Sequence, residues 1–298
     1  MPGAPATRDR RMIDTHLHLW QLDTGWYGWN TPALGAVHGD STVEAVADEM
    51  DRAGVLSAVV VQAADTPAET DWLLDLARRE RILAGVVGYL PLDDIAVLED
   101  LLATYEGMPL VGVRQLWHDH DDAGELSSGT TIRALRLLGE AGLPVDIPDA
   151  FPALWPALTT AVAGAPGTTF VLDHCGKPPF GDPVAWRTWE RGFRDLATRP
   201  NVVVKLSGLF GGSGSHVPAT VADLSRVVEL VREVAGADRT VVGSDWPMIR
   251  GRLDYPATIT RLTELLGAWS ATEIAAASTE TARRIYPSPR LRARRMSS

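Results

Sequence analysis

The sequence is poor in cysteine and in positive charge, and these two shortages exclude several classes of protein. Its one cysteine, Cys175, allows no internal disulfide and no cysteine-based metal site. Lys and Arg total 28 against 38 Asp and Glu, which gives a formal net charge of -10 at pH 7. An excess of acid on this scale argues against nucleic acid or an anionic membrane as the main partner.

Long apolar runs and several common motifs are also missing. The 298 residues contain no apolar run of the roughly eighteen residues that a membrane span needs, and the start lacks the apolar core of a signal peptide. We therefore expect a cytoplasmic protein. The sequence has no Gly-x-Gly-x-x-Gly fingerprint after its first apolar run, no Gly-x-Ser-x-Gly nucleophile elbow and no P-loop.

What the sequence does contain is a series of short, continuously apolar runs separated by helical patterns. Such runs are typical of parallel strands that are covered by helices. The runs begin at Arg11, Leu56, Ile82, Leu110, Leu143, Thr168, Asn201 and Arg239. One of the helical patterns follows Thr66, with Pro67 at the first helical position and Glu69 at the third. This spacing predicts a helix that starts with a capping box.

The alternation of strand and helix predicts a single-domain (β/α)₈ TIM barrel. A doubly wound open sheet is the competing α/β architecture, and the number of units and the missing dinucleotide fingerprint disfavour it. We expect the barrel to span residues 11–287. It would be flanked by a disordered tail at residues 1–10 and a disordered basic tail at residues 288–298.

Polar and ionisable residues gather where the apolar runs stop. In a TIM barrel the carboxyl ends of all strands meet on one face, and catalytic sites are built there. The residues at these positions are His16, His18, Gln62, Arg114, Asp146, Asp149, His174, Lys205, Ser207 and Asp245.

The stretch IDTHLHLW carries the strongest signal among them. His16 and His18 are two residues apart, so on a strand both side chains point into the barrel. Asp14 shares that face by the same parity and is a candidate partner for the imidazoles. Together with His174 and Asp245 from other strands, the pair would suit a cation such as Zn²⁺. Asp245 could take a proton from an attacking water, ligate the cation, or do both.

Further residues are candidates for substrate binding. Arg114 could form a bidentate contact with a carboxylate, although an ion pair with a neighbouring acid explains it equally well. Lys177 stands at the same end of the barrel, whereas Lys205 fits a packed structural lysine at least as well. Flat aromatic walls could hold a sugar-like ring, but rim packing is an equal alternative. The residues proposed to line the substrate are Gln62, Arg114, Trp20, Trp117, Lys177 and Trp246.

Five motifs, in their order along the chain, resemble those of the amidohydrolase-2 family of the amidohydrolase superfamily. They are MIDTHLHLW, GVRQLW, LDHCGKP, NVVVKLSGL and GSDWP, and the likeness extends from about Arg11 to Tyr286. Within that family the chain is most similar to sugar-lactone and muconolactone hydrolases such as L-fuconolactonases and L-rhamnonolactonases. The resemblance implies a TIM-barrel hydrolase that opens a cyclic ester.

The resemblance also assigns roles to individual residues. It implies that His16, His18 and His174 are the family's site histidines, that Asp245 activates water, and that Arg114 holds a substrate carboxylate or a lactone oxygen. No histidine follows the fifth strand, where many superfamily members have one, so a two-metal centre is not expected. Two alternatives stay open: a single Zn²⁺ or other divalent cation on His16, His18, His174 and Asp245, or a site that works without metal.

The sequence thus predicts a hydrolase acting on a sugar-acid lactone or a related carboxylated lactone. A zinc-dependent decarboxylase and a non-catalytic barrel that binds sugar acids are the alternatives. The expected partner is a small molecule, with neither nucleic acid nor membrane, and a homo-oligomer stays open. Specificity would come from loops at residues 21–40 and 210–218.

Overall fold

The computed structural model describes residues 12–210 and 219–293. Its strands form one parallel sheet in the order β1 to β8, each strand hydrogen bonded to the next along the chain. Leu17 of β1 pairs with Trp246 just beyond β8, which brings the last strand back to the first. The predicted single-domain (β/α)₈ barrel is confirmed. No helix in the described ranges is long and apolar enough to cross a membrane.

The strands are short and, apart from the partly buried Leu56 of β2, fully buried. They are β1 (Met12–Leu17), β2 (Val55–Val61), β3 (Leu83–Gly88), β4 (Leu110–Arg114), β5 (Val145–Ile147), β6 (Phe170–Leu172), β7 (Val202–Leu206) and β8 (Thr240–Val242). Aliphatic side chains such as Ile13, Val111 and Val203 fill the interior of the barrel. A larger apolar cluster lies between the sheet and the surrounding helices.

Helices cover the barrel, both in the intervals between strands and after the last strand. They are α1 (Val43–Arg52), α2 (Pro67–Arg79), α3 (Ile95–Thr104), α4 (Gly129–Glu140), α5 (Trp155–Gly164), α6 (Pro183–Ala197), α7 (Val221–Val234), α8 (Tyr255–Leu265), α9 (Ala271–Ala275), α10 (Thr281–Ile285) and α11 (Pro289–Ala293). The pattern that we describe from sequence does not single out α5, the helix between the fifth and sixth strands.

The start of α2 differs in one respect from its prediction. Thr66 caps the helix as expected, because its hydroxyl accepts from the N–H of Ala68. The Glu69 carboxylate, however, does not complete a capping box with Thr66. It is buried and accepts the N–H groups of Ala63 and Ala64, the residues that follow β2. Glu69 therefore shapes the loop at the carboxyl end of β2 rather than the first turn of its own helix.

An irregularity in β1 separates Asp14 from the two histidines. Asp14 pairs with Ala58 and Leu17 with Val60, so β1 has one residue more than β2 between these pairs, as in a β-bulge. Asp14 consequently points toward α8, where the Tyr255 hydroxyl donates to it at 2.9 Å. The expectation that Asp14 shares the face of the histidines is wrong, because the extra residue breaks the simple alternation.

The C-terminal helices close the barrel at the end opposite to the strand carboxyl ends. Ile285, Tyr286 and Leu291 belong to the same apolar cluster as the barrel interior. Residues 288–293, which we predicted to be part of a disordered tail, instead pack against the barrel through Leu291 and the buried Ser288. The predicted tail at residues 1–10 and the remainder of the other tail, residues 294–298, lie outside the described residues.

Candidate active site

The carboxyl ends of the strands bring most of the predicted polar residues together. His16 lies on β1 and His18 directly follows it, and their Nε2 atoms are 3.1 Å apart. Asp245 follows β8, with its Oδ1 at 3.7 Å from the Nε2 of each histidine. The His174 ring, which follows β6, lies 4.6 Å from the His16 ring between centroids. All four residues are buried.

The backbone at this end of the barrel is unusual. Among the described residues, five that are not glycine adopt a left-handed conformation, and they all follow β5, β6 or β8. They are Asp149, His174, Cys175, Lys177 and Asp245, with φ between 32° and 66°. This conformation is costly for residues with a Cβ, and it concentrates at functional sites. Here it occurs at His174 and Asp245, whose side chains lie beside His16.

Gly208 provides the space between His174 and Asp245. Its φ is +61°, and a Cβ added there would lie 2.4 Å from His174 Nδ1 and 3.0 Å from Asp245 Oδ2. The neighbouring Ser207 hydroxyl is hydrogen bonded to His174 Nδ1 at 2.9 Å. The end of β7 therefore orients the His174 ring and leaves room beside it.

Beneath the histidines lies an ionic floor, which we define as Lys205, Asp146, Asp173 and Arg114. Lys205 is fully buried and contacts Asp146, Asp173 Oδ1 at 2.8 Å and His16 Nδ1 at 3.2 Å. Arg114 pairs with Asp173 Oδ2 at 3.3 Å. Each charge in the floor thus has an opposite charge beside it, which a buried ionic group requires.

Burial sets the protonation of the site residues. Loss of solvent lowers the pKa of His18 to about 3 and that of His174 to about 4. It also holds the pKa of His16 well below its usual range. Burial has the opposite effect on an acid and raises the pKa of Asp245 to about 8. The imidazoles are therefore neutral at pH 7, and Asp245, once ionised, is a stronger base than an exposed aspartate.

These residues meet the basic requirements of a site for one divalent cation. His16, His174 and Asp245 each offer a ligand atom, and the three atoms lie within 4.8 Å of one another. Neutral imidazoles and a carboxylate are ligands that Zn²⁺ accepts. His18 lies beside two of these groups. A second cluster of His16, Asp146 and Asp173 has similar spacing, but the Lys205 ammonium already lies against all three.

Four of the residues predicted to bind substrate lie at or near the candidate site, and two do not. Gln62 and Arg114 lie at the site but are buried and engaged, since Arg114 Nη2 donates to the Gln62 carbonyl and Gln62 Nε2 donates to the Arg114 carbonyl. Trp20 stacks near His18, with ring centroids 6.3 Å apart, and donates to Gly39. Lys177 reaches the rim, where it pairs with Asp149 at 2.7 Å.

Trp117 and Trp246 have a different location from the one that we predicted. Both are buried in the apolar cluster between the sheet and the helices. The Trp246 ring carries the Arg250 guanidinium on its face at 4.4 Å. They are packing residues rather than walls of the site.

Two residues that lie at or near the candidate site were not predicted from the sequence. Asp173 directly precedes His174 and pairs with Lys205 and Arg114 in the floor. Its position at the end of the apolar run FVLDH was a usable signal, because a buried acid there needs a cationic partner. His118 lies close enough to Asp149 for that carboxylate to act on its pKa, which burial nonetheless lowers. Nothing in the local sequence distinguishes His118.

Comparison with known proteins identifies the family. A family model described as amidohydrolase matches residues 13–288. The chain belongs to this amidohydrolase family. It is 33% identical over 246 residues to an L-fucono-1,5-lactonase of Burkholderia ambifaria, with 80% of this chain and 81% of the relative covered. It is 28% identical over 292 residues to an L-fucono-1,5-lactonase of Burkholderia multivorans, with 93% and 96% covered.

A solved amidohydrolase supports the same assignment. The crystal structure of an amidohydrolase from Burkholderia multivorans with bound zinc superimposes with a TM-score of 0.84 at 27% sequence identity. The superposition covers 94% of this chain and 100% of that chain. The resemblance of the five sequence motifs to this family is therefore confirmed.

Proposed function

We propose that this amidohydrolase hydrolyses the ring ester of a sugar-acid lactone, with Asp245 as the base that activates water. The observation that carries the proposal is the placement of Asp245. Its carboxylate lies 3.7 Å from two imidazoles in a buried site. The curated relatives at 33% and 28% identity carry the name L-fucono-1,5-lactonase, which supports a lactone of this class.

The reaction needs one water and one base. Asp245 takes a proton from water while the water oxygen bonds to the lactone carbonyl carbon, and the carbonyl electron pair moves onto its oxygen. When the C=O bond re-forms, the ring C–O bond breaks and the leaving oxygen takes the proton from Asp245. The product is an open hydroxy acid, and Asp245 is ionised again.

Among the three neutral imidazoles, His174 is the one placed to stabilise the charge on the carbonyl oxygen through an N–H. Their low pKa values argue against the imidazolium form that a direct electrostatic role would need. His174 uses Nδ1 on Ser207 and keeps Nε2 for a substrate oxygen. A divalent cation held by His16, His174 and Asp245, with His18 beside them, would polarise the carbonyl further when bound.

The charge of the site favours an uncharged sugar lactone over a carboxylated one. Arg114 is paired with Asp173, and Lys177 at the rim is paired with Asp149. A substrate carboxylate would compete with these acids for the two cations. The rim pair offers a carboxylate and an ammonium to substrate hydroxyls, which suits a polyol ring.

The test is acid release from a panel of neutral aldonolactones and carboxylated lactones, followed with a pH indicator. We expect hydrolysis of neutral 1,5-lactones and a loss of about 10²- to 10⁴-fold in kcat for Asp245→Asn. Asp48→Asn, the same change at an exposed position, is the control. Acid release that survives Asp245→Asn, or silence on every lactone with and without zinc, would contradict the proposal.

A further inference from the structure

Glu69 is a buried acid that the proposed reaction does not use. Its side chain lies in the first turn of α2 and is fully buried. Both carboxylate oxygens accept the N–H of Ala63, at 3.0 and 3.1 Å, and one of them also accepts the N–H of Ala64 at 2.9 Å. Burial of a carboxylate is costly, so these contacts with the loop after β2 call for an explanation.

The loop after β2 connects this carboxylate with the candidate site. The carbonyls of residues 61–63 contact, in order, His18 Nδ1 at 2.8 Å, Arg114 Nη2 at 2.7 Å and the Trp29 indole nitrogen at 2.9 Å. The backbone of Ala63 is therefore held at both of its polar groups. Glu69 binds its N–H, and Trp29 binds its carbonyl.

Trp29 carries this connection into the loop at residues 21–40, which we expect to contribute to substrate specificity. Its ring meets the Trp20 ring edge-on, with centroids 5.1 Å apart. Trp20 in turn stacks near His18, with centroids 6.3 Å apart. A shift of Ala63 would therefore reach both the loop and the aromatic side chain beside His18.

The surroundings of Glu69 allow it to gain or lose a proton near neutral pH. Burial raises its pKa to about 7, although the N–H groups of the loop after β2, the Tyr27 hydroxyl and the Arg114 guanidinium act in the opposite direction. Tyr27 belongs to the loop at residues 21–40, and Arg114 ends β4. Since both carboxylate oxygens accept N–H groups, a proton on either oxygen removes an acceptor, and the remaining contacts lose the strength that charge gives them.

We propose that Glu69 is a positioning residue, which in its ionised form holds the loop after β2 in the position that the loop at residues 21–40 binds. Proton binding to Glu69 loosens the contact between Ala63 and Trp29 and weakens substrate binding as the pH falls. The effect on substrate rests on the proposed lactone hydrolysis, whereas the link between Glu69 and Trp29 does not.

The first test follows the indole ¹⁵N–H signal of Trp29 in the full chain across neutral pH, with Trp29→Phe used to assign it. We expect the signal to shift with a midpoint at about 7, because the acceptor on Ala63 moves when Glu69 takes up a proton. Glutamine has one acceptor oxygen and so resembles the protonated acid. In Glu69→Gln the signal should therefore stay constant with pH, and its proton should exchange with solvent at least about tenfold faster.

Glu273→Gln is the matched control for this substitution. Glu273 also occupies the third position of a helix, α9, and its carboxylate accepts the N–H of the capping residue Ser270 at 2.7 Å. The same change there removes a carboxylate bound to a backbone N–H but leaves the loop after β2 intact. The Trp29 signal should therefore titrate as it does in the unaltered protein.

The second test measures KM and kcat for the best substrate among the neutral 1,5-lactones. We expect the KM of the unaltered protein to fall as the pH rises through about 7. Above that pH the KM of Glu69→Gln should be about threefold to tenfold higher, with a smaller change in kcat, because a displaced loop weakens binding rather than the chemical step. Glu273→Gln should keep the KM of the unaltered protein.

Three results would overturn the proposal. They are a Trp29 signal that does not shift across neutral pH in the unaltered protein, equal exchange rates in Glu69→Gln and Glu273→Gln, and a loss in Glu69→Gln that falls on kcat alone. If Glu69→Gln does not fold, the carboxyl ¹³C signal of Glu69 in the unaltered protein replaces it. That signal should share the midpoint of the Trp29 signal, and a different midpoint would count against the link. Because neither signal needs a substrate, failure of this inference is distinguishable from failure of the proposed lactone hydrolysis.

Discussion

At the scale of single residues, the burial of Asp245 gives the reaction a defined pH dependence. Loss of solvent raises the pKa of this carboxyl to about 8. Only the ionised form can take a proton from water, so we expect kcat/KM of the metal-free protein to rise with pH through about 8 and then level off. A pH–rate profile after chelation measures this.

A bound cation should change the pH dependence of kcat/KM. A divalent ion on Asp245 favours the carboxylate, so zinc loading should move the rise in kcat/KM to lower pH. A rise near the ordinary pKa of an aspartate in the chelated protein would contradict the assignment of Asp245 as the buried base.

Gly208 allows a sharper test of the site geometry. An added Cβ would press on His174 and Asp245, so Gly208→Ala should lower kcat by about 10²-fold or more, the loss that a 1 Å displacement can cause. Gly142→Ala is the matched control, because Gly142 also has a left-handed φ of +71° but has nothing within 4 Å of its Cβ position. The backbone strain is then similar in both variants, and steady-state kinetics should separate them. Equal losses in both would argue against a packed site at Gly208.

The candidate site was largely predictable at this scale, and the exceptions have physical causes. His16, His18, His174 and Asp245 come together because strand ends converge in a barrel. The orientation of Asp14 was not predictable, since a bulge of one residue in β1 leaves no clear mark in the sequence. The role of Lys205 was equally hidden, because its partners Asp146 and Asp173 come from β5 and the end of β6.

At the scale of elements, the loops after β2 and β4 are joined by His120. This side chain contacts Asp65 at 3.2 Å and Glu125 at 2.7 Å. Partial burial alone would lower the pKa of His120, but Glu125 and Asp65 raise it above its usual value. The folded protein therefore binds this proton more tightly than the unfolded chain does.

The sign of the resulting stability change follows directly. The contribution of His120 is complete below its unfolded pKa of about 6.5 and is lost as the pH rises through the higher folded value. We expect His120→Gln to destabilise the protein by about 0.5 kcal/mol at pH 6, since the pair is partly exposed, and by less at pH 8.5. Urea unfolding at the two pH values measures it. A larger loss at pH 8.5 than at pH 6 would contradict the pairing.

The errors in the prediction of α5, Trp117 and Trp246 have one cause in common. The α5 segment, WPALTTAVAG, is apolar on most sides and so has no clear polar face. Trp117 and Trp246 follow strands as site residues do, but a side chain after a strand can turn outward into the helix layer. Local sequence records that a residue is apolar, whereas the packing of neighbouring elements decides which way it faces.

At the scale of the whole molecule, the C-terminal segment stabilises the end of the barrel opposite to the candidate site. The Arg290 guanidinium donates to four carbonyls at the end of α2 and the start of β3, those of Ala77, Arg78, Glu80 and Leu83. Without it, carbonyls at a helix end would lose their partner. We expect Arg290→Ala to lower the free energy of unfolding by about 2 kcal/mol.

Arg81→Ala is the control for that measurement, because Arg81 is an exposed arginine in the same region. Denaturant unfolding of both variants would separate loss of the carbonyl contacts from loss of a positive charge. Equal unfolding midpoints for the two variants would show that Arg290 contributes nothing beyond its charge.

The barrel itself was predictable from sequence because a repeated pattern of buried strand and helix has few architectural solutions. All eight predicted apolar runs coincide with a strand of the barrel, and β2 begins one residue before its run. Prediction failed at residues 288–293, whose basic composition suggests a free tail but whose Ser288 and Leu291 are buried in the structure.

The reactive groups lie along the junction between β1 and β8. The N–H of Asp245 binds the carbonyl of His16, and the Thr15 hydroxyl reaches the Val242 carbonyl across 227 residues of sequence. A contact so distant along the chain carries a large loop-closure cost unless the intervening units are already ordered. Base and imidazoles therefore meet only when the ring of strands is complete. A partly synthesised or partly unfolded chain would be catalytically silent, and regain of activity would report the final stage of folding.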